Sequence, residues 1–100
     1  KNLKPSWFGF PILLDKKYIK KKEKFLNFLN KNRVETRPII SGNFVNQPAI
    51  KLYNISYNLK KLHNSNQIDK RGFFIGLPTT KLSDRVVKKL AELLLKVSKF

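Results

Sequence analysis

One hundred residues with 22 lysines and arginines against six acidic side chains, a formal charge of +16, allow one domain with one modest core and leave no room for a second. The absence of cysteine removes disulfides, thiolate nucleophiles and cysteine-based metal sites. No apolar run approaches the ~20 residues that span a bilayer and no secretory signal is visible, so a cytoplasmic location with no membrane partner is the expectation.

Ser6 to Leu14 is aromatic and branched, the pattern of a strand, and Pro11 within it favours an edge or irregular position. From about Lys17 to Asn32, Tyr18, Ile19, Phe25, Leu26 and Leu29 form the stripe of an amphipathic helix, with Lys20, Lys21, Lys22 and Lys24 on the other side. Arg33 to Ile40 predicts a second strand, broken by Ser41-Gly42-Asn43, where Gly and Asn accept turn conformations. Gln47-Pro48 opens a short helical piece through Tyr53, and Leu59, Leu62 and Ile68 give weak helical periodicity between Tyr57 and Asp69. Gly72 to Leu77 is an apolar third strand.

Ser83 caps the last helix with Asp84 in its first turn, and Val86, Val87, Leu90, Leu93, Leu94 and Val97 repeat at three- and four-residue steps. The order predicts an α/β fold: a small two-layer sandwich of a short, largely antiparallel sheet packed with helices. The chain starts at Lys1 and holds no methionine, which makes a processed or excised piece of a longer polypeptide the expectation.

A charge of this size points to a polyanion, but 18 of the 22 basic residues are lysine and four arginine, whereas base-edge and bidentate phosphate recognition favour the guanidinium fork. With ten asparagines, the lysines fit an AT-rich coding bias and a solvated coat, so nucleic acid is not the expected main partner. A basic nucleic-acid-binding module using the Lys17–Asn32 helix stands as an alternative. The single His63 and six scattered carboxylates offer no metal-ligand spacing and no catalytic constellation beyond chance, and no glycine-rich phosphate loop is present.

Two segments carry contact chemistry. Arg37 lies between a strand and a turn, where a guanidinium can hold a carboxylate or phosphate, and Arg71 has the same placement before a strand. Each has a structural alternative, an ion pair to Glu35 or to Asp69. Trp7 and Phe8 beside Gly9 are candidate contact walls, Phe10 is a core candidate, and Asn43 either contacts a ligand or serves the turn.

Ser6-Trp7-Phe8-Gly9-Phe10-Pro11, Thr36-Arg37-Pro38-Ile39, Gly42-Asn43-Phe44, Gln47-Pro48-Ala49 and Arg71-Gly72-Phe73-Phe74-Ile75-Gly76 together resemble, in order and spacing, the carboxy-terminal domain of the DegT/DnrJ/EryC1/StrS sugar aminotransferase family, and within it the 3-dehydratase branch. The resemblance covers nearly the whole chain. It implies the small domain (residues 1–100) of a fold-type-I homodimer that uses pyridoxal or pyridoxamine phosphate on a nucleotide-linked 4-keto-6-deoxy sugar in lipopolysaccharide or deoxysugar biosynthesis. A 4-aminotransferase of the same family is the nearest variant.

In that family the cofactor-bearing position, a lysine in aminotransferases and a histidine in the dehydratases, lies in an upstream large domain. None of the lysines here is therefore assigned that role, no catalytic residue is expected in this chain, and alone it is expected to be inactive. The resemblance implies substrate-binding roles for Arg37 and Arg71 as clamps, Asn43 as a polar contact from the turn, and Trp7 and Phe8 as walls near the cofactor.

Overall fold

In the computed structural model, which describes residues 2–100, three strands form one antiparallel sheet: β1 (Gly9–Leu13), β2 (Thr36–Arg37) and β3 (Gly72–Gly76), in the order β1-β3-β2. The apolar strand β3 takes the centre because it alone carries large side chains to be buried on both faces. Its register pairs Ile12 with Phe73, Pro11 with Phe74, and Thr36 and Phe10 with Ile75.

Beyond the ends of β1 the same register continues, since Leu77 N–H donates to the Phe8 carbonyl (3.1 Å) and Leu14 N–H to the Arg71 carbonyl (3.2 Å). Alternation from these two bonds places Pro11 at a pair without ladder hydrogen bonds. Its missing N–H therefore lies on the outer, unpaired side of an edge strand, where proline is tolerated. The edge position read from Pro11 is the observed one.

One face of the sheet carries the helices. α1 (Lys22–Lys31) and α4 (Asp84–Leu95) supply Phe25, Leu29 and Leu93, which with Leu14, Phe73 and Ile75 form the buried cluster. Phe25 meets Phe73 edge-on at 6.3 Å and Phe100 at 5.8 Å. Phe10 lies across from Ile75 but is half-exposed, outside this cluster. α4 begins as predicted, with Ser83 Oγ accepting from Val86 N–H at 3.4 Å.

Several predicted elements differ in extent: the first strand, expected over 6–14, forms over Gly9–Leu13, and the last helix gives way to 3-10 turns after Leu95. The helix expected over 17–32 starts as 3-10 turns, Lys16–Lys21, with Asp15 Oδ1 accepting from Lys17 N–H at 3.0 Å, and becomes α-helical at Lys22. Such tight turns are common at helix starts. The strand expected over 33–40 pairs only at Thr36 and Arg37. Arg33 adopts φ 63° on one side, and Pro38 offers no N–H on the other.

α3 (His63–Arg71) follows 3-10 turns at Leu59–Leu62, and α2 (Pro48–Leu52) begins on Pro48 as its spacing predicts. Between β2 and α2 the chain turns at Ser41 (φ 62°) and Gly42 (φ 45°). A Cβ on Gly42 would collide with the Asp69 carboxylate, so glycine is required there by both backbone and packing.

Truncating Phe73 to Ala should cost about 3–5 kcal/mol, a large part of the ~5–15 kcal/mol that holds a domain folded, and lower the urea midpoint accordingly. Phe44→Ala, at an exposed position, should change stability by less than ~0.5 kcal/mol. Urea unfolding followed by circular dichroism distinguishes the two.

Candidate functional site

Side chains alternate across a strand, so burying Phe73 and Ile75 under the helices turns Phe74 to the opposite face. Among the described residues, that face is open to solvent at Trp7 and Phe8. Pro11 lies across from Phe74 on one side and Arg37 on the other. Trp7, Phe8, Gly9, Ile39 and Ile40 complete a shallow apolar depression of about 370 Å³ over the Phe74 ring.

Phe74 is 8% exposed because Phe8 lies against it, ring centroids 5.8 Å apart. Gly9 permits the close fit: a Cβ there would come within 2.6 Å of Phe74 Cδ2. Trp7 and Phe8 themselves remain 66% and 75% exposed. An apolar surface of this kind rewards contact with another surface or with the flat part of a ligand.

Arg37 stands on the same face. Its Nε and Nη2 donate to Glu35 Oε1 at 2.9 and 2.6 Å, the ion pair foreseen as the alternative to ligand binding. The guanidinium is 63% exposed, and a pair so open to water is worth only ~0–1 kcal/mol, so a better-shielded anion can displace Glu35.

Arg71 is placed differently. It is half-buried, its Nε donates to the Leu14 carbonyl at 2.6 Å and its Nη1 to Gln67 Oε1 at 3.1 Å. It thus braces the end of α3 against the end of β1. Asp69, its expected partner, instead accepts from Asn46 Nδ2 at 2.7 Å. The two arginines make separate contacts, Arg37 with Glu35 and Arg71 with Leu14 and Gln67.

Asn43 is 2% exposed in the turn, so its side chain is committed to packing. Its φ of −108° leaves the left-handed positions to Ser41 and Gly42.

Lys22 holds a site that sequence reading missed. Its ammonium donates to the carbonyls of Lys70 (3.2 Å) and Asp69 (3.4 Å), capping the negative end of α3. Burial pushes its pKa below the ordinary 10.5, opposed by the charge of Asp69. A second groove of about 570 Å³, also unforeseen, lies between the β3 end and α4, walled by Val34, Ile75, Leu77, Val86, Leu90 and Leu93. Its walls come from three separate stretches of chain, which no local pattern announces.

No lysine or histidine lines the sheet-face depression, and Lys22 spends its ammonium on backbone carbonyls. Among the described residues no group of three or more His, Asp or Glu is placed to hold a metal, and no helix is long and apolar enough to cross a membrane.

No family model matches the chain, and no solved structure matches it. Curated relatives do. It is 35% identical over 92 residues to the lipopolysaccharide biosynthesis protein RfbH of Salmonella typhimurium, covering 88% of this chain and 21% of that protein. It is 30% identical over 82 residues to the GDP-4-keto-6-deoxy-D-mannose 3-dehydratase of Escherichia coli, 81% of this chain and 21% of the relative. To the dTDP-4-dehydro-2,6-dideoxy-D-glucose 3-dehydratase of Saccharopolyspora spinosa it is 32% identical over 98 residues, 94% of this chain and 21% of the relative. The chain spans about a fifth of the length of these relatives, and its similarity is to RfbH and to nucleotide-sugar 3-dehydratases.

The Lys22 cap has a pH signature. Between its lowered pKa and 10.5 the unfolded chain binds more protons than the folded one, so Lys22 adds stability as pH rises through that window. Wild type should gain urea resistance there relative to Lys22→Met. A difference that stays flat with pH would contradict the burial of this ammonium.

Proposed function

We propose that these residues form the small, substrate-closing domain of a pyridoxal- or pyridoxamine-phosphate-dependent nucleotide-sugar 3-dehydratase of the DegT/DnrJ/EryC1/StrS family. The enzyme would be a cytoplasmic homodimer acting on a nucleotide-linked 4-keto-6-deoxy sugar in lipopolysaccharide or deoxysugar biosynthesis. The observation that carries this reading is the near end-to-end similarity to 3-dehydratases, 94% of the chain in one case, confined to a fifth of each relative.

Such coverage supports a domain role, with the cofactor seated in polypeptide beyond these residues. The chain's own residues agree with a covering part: an apolar wall of Trp7 and Phe8 and an exchangeable guanidinium at Arg37. In this reading the uncovered sheet face turns toward the remaining polypeptide. Trp7 and Phe8 exclude water there, and Arg37 trades Glu35 for an anionic or hydroxyl group of the substrate.

Arg71 and Asn43 act one step back. Arg71 fixes the strand end that follows the Trp7–Phe8 wall, and Asn43 holds the turn after Arg37. Orientation of this kind is costly to lose, since ~1 Å of misplacement can reduce rate ~100-fold.

The test is turnover by the complete polypeptide containing these residues. It should carry the absorption band of the cofactor and remove the C3 hydroxyl from a GDP- or dTDP-linked 4-keto-6-deoxyhexose, while residues 1–100 alone do neither. Absence of C3 deoxygenation in the complete polypeptide, or amino transfer to C4 in its place, refutes the reading. Trp7→Ala and Arg37→Ala should each lower kcat/KM by about 10–100-fold with stability changed by less than ~0.5 kcal/mol, since both side chains are exposed.

A further inference from the structure

Val86, Leu90 and Leu93 follow one another at four- and three-residue steps along α4, and Val87, Leu90 and Leu94 form the adjoining row. A helix so patterned is suited to burying this stripe, yet Leu93 is the residue of α4 that is buried. Val86 and Val87 stay 48% and 49% exposed. They edge two hollows. One is the groove of about 570 Å³ between α4 and the β3 end, which Val86, Leu90 and Leu93 wall. The other, about 460 Å³, lies between Val87 and the arriving chain at Ser6 and Trp7. Leu77, Pro78 and Leu82 line both, so the two run together as one apolar trough around the start of α4.

The surroundings of the trough point to what fills it. Residues 2–7, which carry no helix or strand, bring the chain in beside it, and Ser6 lines its second hollow. The strand at its floor, β3, is paired on both sides, and β2 offers two residues before Pro38. An occupant must therefore satisfy its own backbone hydrogen bonds, as a helix does. Arg33 and Lys89 stand at the rim, while Glu35 beside them is bonded to Arg37. An acidic side chain on the occupant would meet a cation there.

We propose that this trough seats an amphipathic helix of the polypeptide directly preceding Lys1, with its apolar stripe against Val86, Val87 and Leu90. The proposal rests on the reading above that these residues are the small domain of a longer enzyme, as their span of about a fifth of each relative supports. Helix-in-groove contacts of this kind are read from apolar anchors at three- and four-residue steps, which α4 already presents. A second copy of this chain is the poorer fit, since a symmetric pairing would bring Arg33 and Lys89 of one molecule to those of the other. The groove lies on the Ile75 side of the sheet, opposite the depression over Phe74, so both can be filled at once.

The experiment places the photoreactive residue p-benzoylphenylalanine at Val87, and separately at Val86, in the complete polypeptide, and maps the adducts by mass spectrometry. Mixing normal with isotope-labelled subunits separates adducts within one chain from those between copies. Adducts within the ~30 residues before Lys1 are expected, since ~12 residues of helix match the ~18 Å length of α4 and a connection must follow. Val86→Asp should remove most of the adduct formed from position 87. Adducts to a second copy, to a stretch farther away in the chain, or to nothing, from a polypeptide shown to be folded by circular dichroism, overturn the proposal. Cross-linking needs no turnover, which separates the two readings. An adduct in a polypeptide that leaves the C3 hydroxyl in place supports this docking and refutes the dehydratase reading, and turnover without the adduct does the reverse.

Discussion

Phe73 and Phe74 are neighbours in sequence that must leave water on opposite sides of one strand. Phe73 succeeds completely, because α1 and α4 lie over it and Phe25 meets its ring edge-on. Phe74, on the other face, lies against Phe8 in a shallow depression that Trp7, Ile39 and Ile40 help to line. The central place of β3 follows from this double requirement, since an edge position would leave more of its length open to solvent. The two-sidedness also divides the molecule into a face that folds the chain and a face that remains available for contact.

Around that strand, polar groups do structural work at long range. Arg71 joins the last turn of α3 to the end of β1 across 57 residues, and Lys22 closes the carbonyl end of the same helix across 47 and 48. Both are cations spending hydrogen bonds on backbone oxygens, which are stronger than neutral bonds and leave no carbonyl unpaired. A short helix of poor intrinsic propensity, His63 to Arg71, is in this way fixed at its C-terminal end from two directions.

The parts of the fold written in local pattern could be read directly. Apolar Gly72 to Gly76, the Ser83 cap, the three-and-four spacing of α4 and the edge proline all appear where the sequence places them. Trp7, Phe8 and Arg37, singled out as contact residues beside Gly9 and a turn, are exposed. What escaped depends on partners distant in sequence or on backbone detail. Arg71 was offered Asp69 by proximity and took Leu14; Thr36–Arg37 pairs for two residues because Arg33 and Pro38 bound it. The lowered basicity of Lys22 likewise arises only when α3 arrives beside it.

Pro11 carries a last consequence. Its ring occupies the outward hydrogen-bonding side of β1, midway along a strand whose flanking residues are Phe10, Ile12 and Leu13. Five residues of such composition would otherwise present a template onto which a stray strand from another molecule could add, the first step of fibre growth. One absent donor in the middle of that row interrupts the template, so the chain can keep an oily border without polymerising along it.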